Sequence, residues 1–369
     1  ALLGAVRQGL LSEADIDLAV TRLFTARFRL GMFDPPEQVP FAQIPYEIIN
    51  SPQHRALALQ AARETMVLLK NKDNLLPLPK DLGSIAVIGP NSDHLSVLMG
   101  NYNGTPDKAV TPLEGIRRKL SPSTKLYYAH GCGLANGAPP FEIIPCAFLR
   151  PAEADAGATG LTAAYYANAE FRDEPALLQV DRSVDFIWKD TTPLSKQCGD
   201  GFSIRWTGYL VPPVSGTYRL GVDACSGYKL YLDDDLFVEY YSIHHPALRS
   251  QEVELEGGRL YPLRLEFFSH GLDPQARLLW ARPGVDYETP APEAAGKADV
   301  IVAVMGISPR LEGEEMPVKV DGFEGGDRAR IELPPLQEEF LKKLHGLGKP
   351  VVLVLLNGSA LAVTWAAEH

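Results

Sequence analysis

Six carboxylates fall within eighteen residues in LEGEEMPVKVDGFEGGDR, Leu311 to Arg328: Glu312, Glu314, Glu315, Asp321, Glu324 and Asp327. A carboxylate takes or gives a proton when a cleft holds it beside a reacting bond. A solvated acidic loop has the same composition, so position must decide between the two. The run DVIVAVMG (299–306) precedes the stretch, and its unbroken apolar character is that of a strand buried on both faces. Ligands of open α/β sheets bind beyond the carboxyl ends of such strands, where this loop would lie. Gly313, Gly322, Gly325 and Gly326 permit the tight bends and close backbone approaches that would aim a carboxylate into a cleft.

Other candidate chemistries have less behind them. SIAVIGPNSD (84–93) is like a strand entering a phosphate-binding turn, but it lacks both GxGxxG and GxxxxGK[ST], and Pro90 removes a donor. It reads as a plain strand-end turn. Adjacent His244 and His245 diverge on a strand and read as a hairpin tip, while Asp233–Asp235 lacks the alternating ligands of a calcium loop and reads as a simple loop. No GxSxG elbow and no Ser or Cys nucleophile signature is present. Cys132, Cys146, Cys198 and Cys225 form no CxxC pair, which argues against a zinc site; Cys132 and Cys146 either close a loop or stay as thiols. No cofactor and no metal is expected. The sequons at Asn103 and Asn357 match a pattern that chance often supplies.

The elements that must position the acidic stretch can be read from periodicity. Ser12 and Asp15 make a capping-box pattern ahead of helically spaced Ile16, Ala19, Val20, Leu23 and Phe24, ending at Gly31. DPPEQVPFAQIP (34–45) reads as an extended linker, and Ser51-Pro52 opens a second helix. Buried-type strands follow at 84–90, 125–131, 299–306 and 351–358, with a helix over Leu336–Leu344. Between Thr159 and Gly284 the texture changes to alternating aromatic and polar residues broken by turns, the pattern of an antiparallel sandwich. The order predicts an α/β domain with a mostly parallel sheet, interrupted by an inserted β-sandwich. The α/β domain is expected over residues 51–157 and 288–369, the insert over 158–287, and the linker over 34–50.

Bulk properties narrow the partners. With 35 basic and 46 acidic residues in 369, the net charge is −11, which argues against nucleic acid and anionic membrane surfaces. No apolar run reaches the 18 residues or so that a membrane span needs. There is no signal-type start and no initiator Met, so the chain is expected to be a piece of something longer. It is expected to be soluble, with periplasm and secretion both open and oligomeric state unread.

Several stretches together resemble glycoside hydrolase family 3, the β-glucosidases and β-xylosidases: RLFTARFRLGMFDP, ARETMVLLKNKDNLLPLP, IAVIGPNSD, GNYNGTP with AVTPLEGI, and VMGISPRLEGEEM with GGDRARIELP. The segment GLTAAYYANAEF through RLLWARPG is similar to the protective-antigen-type β-sandwich that some members carry within their second domain. The resemblance implies retaining hydrolysis of terminal β-glucosyl or xylosyl residues of a β-linked oligosaccharide or glycoside. An Asp nucleophile and a Glu acid/base would stand about 5–5.5 Å apart. It also implies that residues 1–33 are the last helix of a (β/α)8 barrel otherwise missing here, and that the nucleophile is absent from this chain. The acid/base falls on Glu312, with Glu314 and Glu315 as alternatives; burial and the nucleophile's charge would keep it protonated. Asp327 and Arg328 would pair to pin the loop's exit, Glu324, Glu338 and Glu339 would form a charged face, and Phe237, Tyr240 and Tyr241 would be sandwich core or sugar-stacking rings. The rival reading is a non-catalytic carbohydrate-binding protein that uses the sandwich alone.

Overall fold

The computed structural model describes residues 2–100, 106, 109–152, 157–188, 194, 201–269, 274–316 and 318–369, with the side chains of 242–247 excepted. Cys198, the Asn103 sequon and the side chains of His244 and His245 therefore lie outside the described residues. The chain divides into two compact units, residues 1–74 and 75–369.

In the first unit, α1 (Leu2–Arg7) precedes α2 (Glu13–Arg29). The Asp15 N–H donates to Ser12 Oγ at 3.2 Å and the Ser12 N–H to Asp15 Oδ2 at 3.0 Å, so the capping box closes both ways. The proline-rich segment does not run extended. It folds into three 3₁₀ turns, Pro36–Gln38, Pro40–Gln43 and Tyr46–Ile48. Pro36 and Pro40 begin the first two, where a fixed φ suits a helical start and the missing N–H costs nothing. Helix α3 (Pro52–Thr65) is capped by Ser51 Oγ, which accepts from the His54 N–H at 3.3 Å.

The second unit holds a parallel sheet in the order Val351–Leu356, Val300–Gly306, Ser84–Ile88, Lys125–Ala129. In chain order its first two strands are β1 (Ser84–Ile88) and β2 (Lys125–Ala129), separated by α4 (Pro112–Arg117). There follow β3 (Glu142–Ile143), β4 (Leu149–Pro151), β5 (Leu161–Tyr166), β6 (Leu177–Asp181), β7 (Asp185–Ile187) and β8 (Phe202–Leu210). Next come β9 (Gly216–Leu232), β10 (Asp235–Leu255), β11 (Tyr261–Ser269) and β12 (Gln275–Ala281). After α5 (Pro290–Gly296) the chain returns to the parallel sheet as β13 (Val300–Gly306), then β14 (Lys319–Val320), β15 (Phe323–Glu324), β16 (Asp327–Arg328), α6 (Pro335–His345), β17 (Val351–Leu356) and α7 (Thr364–Glu368).

Strands from before and after the antiparallel region thus complete one parallel sheet. Its apolar runs are unbroken because both faces are covered. Ile88, Ile301, Ala303 and Met305 pack on Phe340, Leu341 and Leu344 of α6, while Ile85, Val87, Val302 and Val304 pack toward Leu113 of α4. In the antiparallel sheet β3 to β12 all take part, around a core that includes Tyr165, Trp206, Tyr218 and Trp280. Strands β3 and β4 join this sheet before the sandwich texture begins. They pair with β12 and β8. The acidic tract is the tip of the β9–β10 hairpin, with Asp233 and Asp234 at φ 52° and 66°, the left-handed pair of a type I′ turn. Phe237 and Tyr240 are half-buried against the core, Tyr240 under the Arg249 guanidinium at 4.4 Å. Tyr241 is 60% exposed and stacks on Phe268. No described helix is long and apolar enough to cross a membrane.

Candidate active site

The acidic loop leaves the carboxyl end of β13, between β1 and β17, and its base is held by backbone and side-chain bonds. The Ile307 N–H donates to Leu356 O at 2.8 Å, and Asn91, fully buried after β1, donates its Nδ2 to Ile307 O at 3.4 Å. Gly306 has φ 121°, and a Cβ there would come within 2.1 Å of Leu356 O, so only glycine lets β13 end this close to β17. Gln337 of α6, also fully buried, accepts from the Gly306 N–H at 2.8 Å. It donates Nε2 to Gly306 O at 2.8 Å and to Leu134 O at 2.7 Å. One amide side chain thereby saturates the last residue of the central strand, a role that sequence reasoning missed because Gln337 reads as one more polar residue of an amphipathic helix.

Beyond that base the chain makes a turn on Ser308. Leu311 and Glu312 donate their N–H groups to Ser308 O at 2.8 and 3.1 Å, and the Arg310 N–H donates to Ser308 Oγ at 3.2 Å. The rest is a three-stranded meander, β14–β15–β16. The Gly313 N–H donates to Gly326 O at 3.0 Å and the Met316 N–H to Gly325 O at 2.9 Å. Gly326, at φ 91°, has no room for a Cβ, which would lie 1.9 Å from Gly313 O. Leu311 and Phe323 bury beneath the meander with Ala135 and Ile307.

Of the three candidate glutamates, Glu312 is half-buried in the first turn, whereas Glu314 and Glu315 are exposed, Glu315 at φ 49°. The loop's exit is pinned by Arg328, but not through Asp327. Its guanidinium donates to Ser359 Oγ at 3.1 Å, to Ala360 O and to Glu332 O at 3.2 Å. Consecutive residues of a strand project to opposite faces, so the neighbouring carboxylate cannot share that contact. Asp321 instead meets Arg330 at 3.7 Å. Glu338 and Glu339 pair with Lys342 on the surface of α6, and Glu324 is exposed, as a charged face would have it. A depression of about 410 Å³ lies on the flank of the loop, lined by Asp321, Phe323, Arg330, Glu332, Pro335 and Glu338 among others, and the candidate glutamates are not part of its wall.

The neighbouring strand ends contribute two histidines. His94, after β1, is half-buried with Nδ1 2.8 Å from Ser96 Oγ, and His130, after β2, packs on Tyr287 at 4.7 Å between ring centroids. Burial, then the charges of Arg310, His130 and Arg277, push His94 down to about 3. The folded chain therefore refuses a proton that the unfolded chain, near 6.5, accepts. Stability present above pH 6.5 is lost as pH falls through that window, at up to about 1.4 kcal/mol per pH unit. His94→Asn is expected to remove about 2 kcal/mol of the loss between pH 7 and 4.5, read from urea unfolding at the two pH values. Equal losses in both proteins would mean that His94 binds its proton alike in the folded and unfolded chain. Cys132 and Cys146 do not pair; Cys132 is buried, which with Glu288 pushes its thiol up to about 12.

A PA14 domain model matches residues 157–294. The xylan 1,4-beta-xylosidase of Xylanibacter ruminicola is 34% identical over 97% of this chain and 41% of its own length. A beta-glucosidase of Rhizobium radiobacter is 28% identical over 100% of this chain and 43% of its own. Among solved structures, the beta-glucosidase of Kluyveromyces marxianus in complex with glucose superposes with a TM-score of 0.53 at 23% identity, over 86% of this chain and 39% of that one, and shows the same fold. The chain thus spans about two-fifths of the length of these relatives. Parallel sheet, inserted PA14 sandwich and homology along nearly the whole chain agree, and relate the chain to the xylosidases and glucosidases of glycoside hydrolase family 3.

Proposed function

We propose that this chain is the part of an exo-acting, retaining β-glycosidase that supplies the acid/base, with Glu312 in that role and Glu314 and Glu315 as its competitors. The observation that carries the reading is a half-buried glutamate on the first turn of a loop fixed at the carboxyl end of the central parallel strand. A carboxylate so held can protonate a departing glycosidic oxygen and then, as carboxylate, deprotonate water. The nucleophilic Asp would come from a (β/α)8 barrel outside these 369 residues, so the isolated chain is expected to be inactive. The substrate class is a β-linked oligosaccharide or glycoside ending in a xylosyl or glucosyl residue. The xylosidase relative, at 34% identity, supports xylose and the glucosidase relative glucose.

The test is hydrolysis of aryl β-D-xylosides and β-D-glucosides by the full-length protein, with the first-formed anomer followed by NMR. A β-anomer is expected. An α-anomer, or no cleavage of either glycoside, would sink the reading.

A further inference from the structure

Strand β1 stops before its neighbour does. Ile88 pairs with Ala303, whereas β13 runs on to Gly306. Successive residues of a strand present their N–H and C=O groups alternately to the strands on either side. Ile307 donates to Leu356 O on the β17 side, and Val304 O accepts from the Asn91 N–H on the β1 side, so Gly306 faces the side on which β1 has ended. There the amide of Gln337 takes the place of a strand. Oε1 accepts from the Gly306 N–H and Nε2 donates to Gly306 O, both at 2.8 Å, as the backbone of a neighbouring strand would do. Nε2 also donates to Leu134 O at 2.7 Å, so one side chain bridges from the end of β13 to the loop that follows β2. One donor and two acceptors surround the amide, which fixes its orientation. Gln337 is 0% exposed, and all three bonds are made away from water.

We propose that Gln337 is a positioning residue for the acid/base: by standing in for β1 beyond its end, it fixes the point and direction at which the Glu312 turn leaves the sheet. This deepens the function proposed above and rests on it. Two routes lead from the amide to the glutamate. Along the backbone, Gly306 is followed by Ile307 and then Ser308, whose carbonyl accepts from the Glu312 N–H at 3.1 Å. Through packing, Leu134, whose carbonyl the amide holds, lies against the Ile307, Leu311 and Phe323 cluster beneath the meander. The other end of the side chain is anchored, because Phe340, Leu341 and Leu344 of the same helix are buried against the sheet. The hold of Asn91 on Ile307 O is longer, at 3.4 Å. Without the amide, the Gly306 N–H and the carbonyls of Gly306 and Leu134 would lose these buried partners, and the strand end would shift to find others. A carboxyl displaced by an ångström protonates a leaving group poorly while leaving substrate binding nearly intact.

The experiment compares Gln337→Met and Gln337→Glu in the full-length protein, with Glu312→Ala alongside, by kcat/KM on a 2,4-dinitrophenyl β-glycoside and an unactivated phenyl β-glycoside. Methionine fills the same space and makes none of the three bonds. A buried glutamic acid is held protonated and keeps the acceptor and one donor. Both replacements fill the site, so a difference between them reads the hydrogen bonds. Gln337→Met is expected to lower kcat/KM about 10–100-fold on the phenyl glycoside and less than about 3-fold on the activated one. Gln337→Glu is expected to lose about 3–10-fold on the phenyl glycoside and to match wild type on the other. A fold loosened in general would slow both glycosides alike. If Gln337→Met fails to fold, Gln337→Glu decides by the same ratio of the two substrates. If the variants lose activity equally on both substrates, or lose none, while Glu312→Ala keeps its leaving-group signature, the positioning role is overturned and the acid/base assignment stands. If Glu312→Ala itself shows no such signature, the assignment and the role built on it both fall.

Discussion

Glu312→Ala in the full-length protein is expected to lower kcat/KM for an unactivated β-glycoside by about 10²–10⁴-fold, the usual worth of a positioned general acid. The loss should nearly vanish for a 2,4-dinitrophenyl glycoside, whose leaving group departs without a proton. The glycosyl-enzyme formed from that substrate would then turn over slowly, because no base activates water. Azide needs no deprotonation, so it should restore turnover and give a β-glycosyl azide. Glu314→Ala and Glu315→Ala are expected to change kcat/KM much less, since both residues sit on the exposed side of the loop. A wild-type Glu312→Ala beside a crippled Glu314→Ala would move the acid/base two residues along.

Much of each unit was legible from local chemistry. Ser12 with Asp15, and Ser51 before Pro52, cap α2 and α3 as their types predict, because a cap is decided within four residues. The apolar runs of β1 and β13 announced central strands because a sheet covered on both faces tolerates no polar alternation. What escaped was set at long range. Strands β3 and β4, two and three residues long, carry no period of their own and owe their pairing to β12 and β8 more than fifty residues away. The meander β14–β16 is likewise made by backbone bonds across glycines and by Leu311 and Phe323 beneath it, not by strand propensity.

The site divides in the same way. That the acidic stretch follows β13 could be read from the order of residues, and that placement is what raised it above a solvated loop. The partners that fix it could not be read. Gln337 acts on Gly306 across 31 residues, and Asn91 after β1 reaches Ile307 O from more than two hundred residues away. Arg328 was expected to join its neighbour Asp327, but strand alternation turns it toward Ser359 and Ala360 instead. Proximity in sequence misled there because a strand puts adjacent side chains on opposite faces.

Trp206→Ala is expected to cost about 3–5 kcal/mol of stability, more than any other single truncation argued for this fold. The indole is fully buried and stacks with Trp188 and Phe186 at 6.4 and 6.0 Å, so its removal leaves a large void in the sandwich. It also donates Nε1 to Asp181 Oδ2 at 2.8 Å. That carboxyl group, 6% exposed, accepts from Tyr165 Oη at 2.5 Å and from Gln179 Nε2 at 2.7 Å. Burial and then Asp181 raise the Tyr165 pKa, which keeps the phenol a donor. Trp206→Phe separates the two contributions, since it refills most of the void but withdraws one donor from a buried carboxyl. That loss alone should cost about 1–3 kcal/mol. Urea unfolding followed by tryptophan fluorescence and by far-UV dichroism reads both variants. If Trp206→Phe proved as damaging as Trp206→Ala, the hydrogen bond to Asp181 would outweigh the packing. If it matched wild type, the Asp181 network would be incidental to a core held by aromatic volume, and the sandwich would owe its rigidity to packing alone.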